Sequence, residues 1–326
     1  MPKRINWKKG MRLTDEVLQA SDQCTDEAIA QAVVLAAGGR FGLFPAARPF
    51  RLSLSITKAV VNVEALSCLA ITRGGLIVDV EFDTKFTSAF DTRIPIPTQT
   101  DEKEFLLTIS IQPKAWQETV DGYKTANYAF ALTGVNSPLA DNAMPIARIV
   151  YEDGWREDNT SFVPPCLYLS SHPKMEELHE QFVSLLRSID EKTSAQADGG
   201  AHQAICIYWP VVQQMLVTAN TEHEAMTPMR LQSCVQQVVA AFTLACQLDD
   251  ALTLEDAEAF RNYARAPYNY KVAYLRIKQG LGMCYAISEK IDKFSLIQRV
   301  EAPVPVVPKP EPPKPDPRRL WDGKRI

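Results

Sequence analysis

Four histidines are the side chains of this sequence best suited to acid–base or metal chemistry. They are His172, His179, His202 and His223. His172 and His179 stand seven residues apart, so a helix would carry both on one face. Zinc sites need three or four ligands at closer steps, and no Cys or Asp cluster completes such a set. None of the four lies in a recognisable nucleophile motif, so we predict neither a metal site nor a hydrolytic centre.

Paired carboxylates and clustered glycines are the other candidates for chemistry. Asp249-Asp250 and Glu255-Asp256 would suit an acid and a base, but they lie at predicted helix ends, where acidic residues ordinarily cap or solvate. The glycines between positions 38 and 42 follow a predicted helix, whereas a phosphate loop follows a strand and carries a Lys-Ser/Thr pair. No catalytic residue and no cofactor is therefore predicted.

The amino-acid composition indicates the cellular compartment and the kind of partner to expect. Seven cysteines are scattered without a Cys-x-x-Cys pair, which indicates free buried thiols in a reducing compartment. A net charge of -4 gives no attraction for phosphate backbones, so nucleic acid is disfavoured as a partner. No run approaches the ~18 apolar residues of a membrane span, and no signal peptide follows the basic start. We expect a cytoplasmic protein whose partners are proteins.

Alternation of apolar and polar residues indicates antiparallel strands in the first half of the chain. Five segments show this period of two: 50–56, 76–82, 107–111, 128–132 and 149–151. Clusters of Pro, Gly, Asn or Asp separate them. Residues 40–172 are therefore predicted to form an antiparallel β-sandwich. Before it, a helix is predicted to begin at Thr25-Asp26-Glu27 and to stop at Gly38-Gly39, within an arm-and-helix segment 1–39.

Helical spacing replaces this alternation after Pro173. One apolar stripe follows steps of three and four residues: Met175, Leu178, Phe182, Leu186 and Ile189. Further helices are predicted at about 202–223, 228–250, 253–265 and 270–299. Residues 173–300 are thus predicted to form a helical bundle. The stripe serves either the core of one chain or a seam between copies, and periodicity does not separate the two.

The last segment, 301–326, shows neither the two-residue alternation of strands nor the helical spacing of three and four residues. Eight of the 22 prolines lie between Pro303 and Pro317, which predicts an extended polyproline stretch that rises about 3.1 Å per residue. Leu320 and Trp321 follow among basic residues. The alternatives for this tip are a docking peptide and a solvated, disordered terminus. The predicted fold class is multidomain α+β, with a β-sandwich, a helical bundle and a Pro-rich tail.

Two ordered motifs carry a family resemblance. The first places Trp7, Gly10 and Leu13 before Gln19, and Phe41-Gly42-Leu43 after the predicted helix. The second runs from Asp153-Gly154-Trp155 to Phe162-Val163-Pro164-Pro165 and then to Pro173. In this order they resemble the TssK family, the baseplate subunits of type VI secretion systems. The resemblance covers residues 5–190 in sequence and 200–300 only as helical character.

The resemblance implies a non-enzymatic structural subunit that forms homotrimers and binds baseplate wedge proteins similar to TssF and TssG. Trp7, Gly10, Leu13 and Gln19 would mark the wedge-facing segment. By the same resemblance the sandwich joins the bundle at four residues: Phe162, Pro164, Pro165 and Pro173. Paired prolines remove two ladder donors and fix the chain direction, which suits such a joint.

Family members also carry a C-terminal head domain that docks on the membrane complex, and this chain ends at Ile326 without room for one. The expectation is that Leu320 and Trp321 dock instead on a membrane-side partner, with the protein at the inner face of the membrane and not inserted into it. Two other functions remain open at this point: a phage-tail-like receptor-binding or adaptor protein, and a cytosolic hydrolase with a sandwich fold.

Overall fold

A computed structural model describes residues 8–45, 49–84, 91–97, 102–118, 124–197, 203–248 and 257–301. Its first element is helix α1 (Asp15–Ala36), which begins ten residues before the predicted start. The Thr14 hydroxyl caps α1 by accepting from the amide of Val17. The predicted start at Thr25 was wrong. Thr25 lies inside the helix, where its hydroxyl donates to the carbonyl of Ser21, and a threonine can make either this bond or a cap. The helix ends before Gly38 and Gly39, whose positive φ angles of 61° and 74° stop it as predicted.

The first sheet is built around one long central strand. Its members are β1 (Gly42–Leu43), β2 (Arg51–Ile56), β3 (Val60–Ile71), β4 (Ile77–Asp83) and β5 (Arg93–Pro95). All four other strands pair with β3 in antiparallel register. Inward residues of β3 and β4 such as Val61, Val63 and Val78 have no exposed surface, which fixes the register because a one-residue slip would turn them to solvent.

The second sheet has the strand order β7-β6-β8-β9 and is also antiparallel. Its members are β6 (Glu104–Glu118), β7 (Lys124–Gly134), β8 (Ala143–Tyr151) and β9 (Trp155–Glu157). The two sheets contact each other: the rings of Phe82 on β4 and Phe130 on β7 lie 6.0 Å apart, edge to face. Ile109 and Ile149 are fully buried. Burial of such a side chain stabilises the fold by about 1.5–3 kcal/mol.

Five helices follow the sheets: α2 (Pro173–Ala197), α3 (Gln203–Thr221), α4 (Pro228–Leu248), α5 (Ala257–Arg265) and α6 (Ala273–Glu301). Each of α2, α3, α4 and α6 packs on two of the others, in the cyclic order α2, α3, α4, α6. The short α5 covers one side of α4, where the Gln236 amide donates to the carbonyls of Tyr263 and Ala266. Pro173 and Pro228 stand first in their helices, where the missing N–H costs nothing.

The prediction of an α+β chain, with antiparallel strands first and helices after them, is confirmed. The finer descriptions as a sandwich, a trimeric bundle and an extended tail stay predictions. Over the described ranges, no helix combines the length and the apolar character needed to cross a membrane.

Candidate functional site

The histidines are not arranged as their seven-residue spacing suggests. His172 lies before α2, where its Nδ1 accepts from the amide of Lys174 at 3.2 Å and its ring lies 6.0 Å from that of Phe50. His179 is buried and its Nε2 donates to the carbonyl of Ala219 at 3.0 Å. Its ring partner is His223, 4.9 Å away. This pairing joins α2 to the end of α3, which a pattern local in sequence does not reveal.

Burial is the main cause of the lowered pKa values of His172 and His179. Loss of water and, to a smaller extent, the charge of Lys174 lower the pKa of His172 to about 4. Burial also lowers the pKa of His179, and neighbouring His223 acts in the same direction. The neutral imidazoles accept or donate hydrogen bonds and pack against neighbouring rings at these positions. Across the described ranges no three His, Cys, Asp or Glu side chains come close enough together to hold a metal ion.

Burial disfavours the reactive thiolate form of three cysteines in the described parts of the chain. Cys166 and Cys284 are buried thiols outside any disulfide, and burial raises the pKa of Cys284 to about 12. Burial likewise raises the pKa of Cys166 and Cys234, which disfavours the reactive thiolate. His202 and the carboxylate pairs 249–250 and 255–256 lie outside the described residues.

An exposed arm leads into α1. The amide of Met11 donates to the carbonyl of Lys8, and Gly10 has a φ of 82°, so the chain turns just before the helix. Leu13 is 69% exposed and Gln19 is exposed. Three of the four residues predicted to contact a wedge protein are thus at the surface. The fourth, Trp7, lies outside the described residues.

Helix α1 buries none of its residues completely. It rests on the β3–β4 turn, where Gly75 lies directly against the carbonyl of Ala30 and the side chain of Val34. Gly75 has a φ of 81°, so both its conformation and the space around it require glycine. The remaining surface of α1 faces solvent with Leu18 and Ile29 exposed, which leaves the helix free to contact a partner.

The two motifs that carried the resemblance meet at the joint between sheets and helices. The amide of Leu43 donates to the carbonyl of Pro165, and the amide of Leu167 donates to the carbonyl of Leu43. Phe162, three residues before Pro165 in sequence, is buried as well. Gly42 lies so close to Pro165 that a side chain at position 42 would overlap the proline carbonyl. The sequence predicted a joint at the prolines, but it did not predict that the first motif completes it.

Further contacts surround this joint. The amide of Leu169, between β9 and α2, donates to the carbonyl of Met226, just before α4, at 2.9 Å. The Lys271 ammonium, just before α6, donates to the carbonyls of Val135 and Ser137 after β7. The rings of Phe41 and Tyr270 lie 4.9 Å apart, edge to face. The residues in these contacts are far apart in sequence, so several separate segments of the chain stabilise the joint.

The apolar stripe proposed for an oligomer interface is not at the surface. Its five residues have exposures of 2% or less: Met175, Leu178, Phe182, Leu186 and Ile189. They belong to the core that α2 shares with the other helices. The interface assignment of this stripe is therefore corrected to the intrachain alternative, because one chain buries it without a partner. Leu320 and Trp321, predicted to dock on a partner, lie outside the described residues.

Comparisons with known proteins match the fold. No protein-family model and no curated protein matches the chain. A crystal structure of TssK is similar with a TM-score of 0.61 and 13% identity, over 88% of this chain and 69% of that one. TssK in a cryo-electron microscopy structure of the type VI secretion TssK–TssF–TssG baseplate subcomplex gives 0.55 and 14%, over 87% and 98%. TssK from EAEC, in complex with a nanobody, gives 0.53 and 12%, over 83% and 99%. The chain therefore has the fold of TssK.

Proposed function

We propose that this chain is a structural baseplate subunit of a type VI secretion system, with the role of TssK. The observation that carries the proposal is the fold match, which covers most of this chain and includes TssK in a complex with TssF and TssG. The two motifs of the sequence resemblance form one joint, the Leu43–Pro165 bridge, which supports the same assignment. In this proposal the protein is not an enzyme.

The proposed subunit is a homotrimer. Residues 40–172 act as a sandwich domain, residues 173–300 as a helical bundle, and residues 301–326 as an extended tail. The arm at Trp7, Gly10, Leu13 and Gln19 contacts wedge proteins similar to TssF and TssG. The exposure of Leu13 and the free outer face of α1 support this placement, because apolar side chains at a surface are available to anchor a partner.

A test of the wedge contact is co-purification of the full chain with the TssF- and TssG-like proteins of the same secretion system. Leu13→Asp places a charge in the proposed contact and should reduce recovery of the wedge proteins at least tenfold. Ile77→Asp is the matched control, because Ile77 is a half-exposed apolar residue that belongs to β4 and not to the arm. Equal recovery with both variants would remove the arm from the wedge contact, and no recovery with the unaltered chain would reject the function.

We also propose that Leu320 and Trp321 dock on a membrane-side partner, which would hold the protein in the cytoplasm at the inner face of the membrane. An aromatic and an aliphatic anchor flanked by Arg318 and Arg319 suit a short docking peptide. Deletion of residues 302–326 should abolish pull-down of that partner and leave the oligomer intact. Unchanged pull-down would mean that the tail is not the docking element.

A further inference from the structure

One face of helix α1 is uncharged, partly apolar and exposed along its whole length. Ile29 on this face is 51% exposed. Ala30 and Val34, which contact the β3–β4 turn, lie on the other side of the helix. Leu18 is 46% exposed and Leu35 is 81% exposed. They are the first and last members of a row at steps of three and four residues, which we call the α1 stripe: Leu18, Ser21, Thr25, Ala28, Ala32 and Leu35.

Helix α2 shows what an ordinary solvent face looks like in this chain. Among its described residues no large apolar side chain is exposed, and the exposed residues include Glu177 and Glu180. A protein that acts alone rarely leaves a continuous apolar surface in water, and such a surface usually marks a contact site. We therefore expect the α1 stripe to be covered by another segment.

The charge of helix α1 indicates the kind of segment that would cover it. All of its charged residues are acidic: Asp15, Glu16, Asp22, Asp26 and Glu27. These five charges exceed the net charge of the whole chain, which is -4. Burial and, to a smaller extent, the charge of Asp22 raise the pKa of Asp26, one helical turn away. No salt bridge in the described parts of the chain involves these five residues, so a basic segment would complement the helix best.

Residues 318–326 of the same chain have this composition. The segment, which we call the tail tip, reads Arg-Arg-Leu-Trp-Asp-Gly-Lys-Arg-Ile and lies outside the described residues. It carries four basic residues and one acidic residue around the apolar pair Leu320 and Trp321. Tryptophan and arginine are the residues that most often dominate the energy of a protein contact. The tail tip is thus complementary to α1 both in charge and in apolar character.

The tail tip can reach α1 within one chain. Helix α6 begins close to the end of α1, because the rings of Phe41 and Tyr270 lie 4.9 Å apart. The 29 residues of α6 place Glu301 about 43 Å away at ~1.5 Å per residue. Leu320 lies 19 residues further along the sequence, and a chain of that length spans up to about 63 Å. The intervening segment is therefore long enough to return along α6 to α1.

We propose that the tail tip binds the α1 stripe of its own chain. Leu320 and Trp321 pack on the stripe, and the two arginines before them lie beside Asp22 and Asp26. The tether raises the local concentration of the tip to about 1 mM, so even a Kd of ~0.1 mM for the separate peptide would keep about 90% of the helix covered. Because the proposed membrane-side docking uses the same two residues, α1 and that partner compete for the tail tip.

A photo-crosslinking amino acid in place of Ala32, an exposed residue of the stripe, tests this contact in the full chain. Digestion followed by mass spectrometry should identify crosslinks from position 32 to residues 318–326. The same group in place of Ala240, an exposed residue of α4, is the matched control and should give at least tenfold less of this product. Equal yields from the two positions, or no such product from position 32, would overturn the proposal.

An exchange of charges shows whether the acidic residues guide the tip. Asp22→Lys combined with Asp26→Lys should reduce the crosslink from position 32 at least tenfold. Adding Arg318→Glu and Arg319→Glu to that variant should restore at least half of the yield, which also shows that α1 is still folded. A yield that stays the same in both variants would contradict the charge-guided contact.

The mass of the crosslinked product distinguishes one chain from two. On a denaturing gel a link within one chain keeps the mass of 36.4 kDa, which is the expected result. A product of twice this mass would place the tail tip on a neighbouring copy and overturn binding within one chain. None of these measurements requires a wedge protein, so the co-purification described above tests the baseplate role separately.

Discussion

Leu43 donates its amide hydrogen to the carbonyl oxygen of Pro165 at 2.7 Å and accepts from the amide of Leu167 at 2.9 Å. These bonds tie the two-residue strand β1 to the segment that leaves the second sheet for α2. They depend on the close approach of Gly42, which has a φ of 134° and has no space for a side chain beside Pro165. The joint is thus held by backbone groups, and glycine is what lets them meet.

Gly42→Ala should therefore destabilise the protein by about 2–4 kcal/mol, because it adds a backbone overlap to an unfavourable φ. Gly154→Ala is the matched control: Gly154 has a φ of 148°, but nothing lies within 4 Å of an added Cβ. It should cost only about 1 kcal/mol. Urea unfolding followed by circular dichroism measures both. Equal losses would show that the contact with Pro165 contributes nothing.

Two glycines in α6 offer a second matched pair. An added Cβ at Gly280 would overlap the Tyr263 ring and contact Val235, whereas one at Gly282 would meet nothing within 4 Å. Gly282→Ala should stabilise the protein by up to about 1 kcal/mol through helix propensity. Gly280→Ala should instead cost about 1–3 kcal/mol, because the α5–α6 contact has to open. A stabilising effect of both substitutions in thermal unfolding would contradict the packing described for Tyr263.

Strands were predicted from the sequence where neighbouring residues carry a clear pattern, and were missed where they do not. The segments in β2, β4, β6, β7 and β8 were predicted because their apolar and polar residues alternate in sequence, although β8 is buried on both faces. The central strand β3 (Val60–Ile71) was not predicted, although four strands pair with it. Most of its residues are apolar without strict alternation, and such a run does not distinguish a strand from a buried helix.

The candidate site shows the same division. Exposure of Leu13 and Gln19 agrees with the predicted surface arm, but the α2 stripe at Phe182 and Leu186 is core. Helical periodicity reports only that a face is buried, and both a core and a seam satisfy it.

Tyr128 links the two sheets through its hydroxyl, which donates to the carbonyl of Asp79 at 2.9 Å and accepts from its amide at 3.2 Å. Both Asp79 groups belong to β4, so the tyrosine satisfies the backbone of an edge strand. Tyr128→Phe should cost about 1–2 kcal/mol, since two backbone groups lose a partner. Tyr285→Phe, at an exposed position of α6, should stay within about 0.5 kcal/mol. Chemical unfolding of both variants checks this difference.

His172 should make stability depend on pH. Burial, with the charge of Lys174, lowers its pKa to about 4 in the folded protein from an ordinary value of 6.5. Below pH 6.5 the unfolded chain therefore binds a proton that the folded chain does not, and stability falls as the pH drops from 6.5 towards 4. Allowing for its partial exposure, we expect a loss of about 2 kcal/mol from this group.

The variant that isolates this effect is His172→Asn, because the asparagine oxygen can still accept from the Lys174 amide at the start of α2. Its stability at pH 7.5 should be close to that of the unaltered chain. Between pH 6.5 and 4.5 it should lose less stability than the unaltered chain, with a remaining slope that includes buried His179. Urea unfolding across this pH range measures the difference. Parallel curves for the two proteins would mean that His172 titrates alike in the folded and unfolded states, and that its burial beside Phe50 is not maintained in solution.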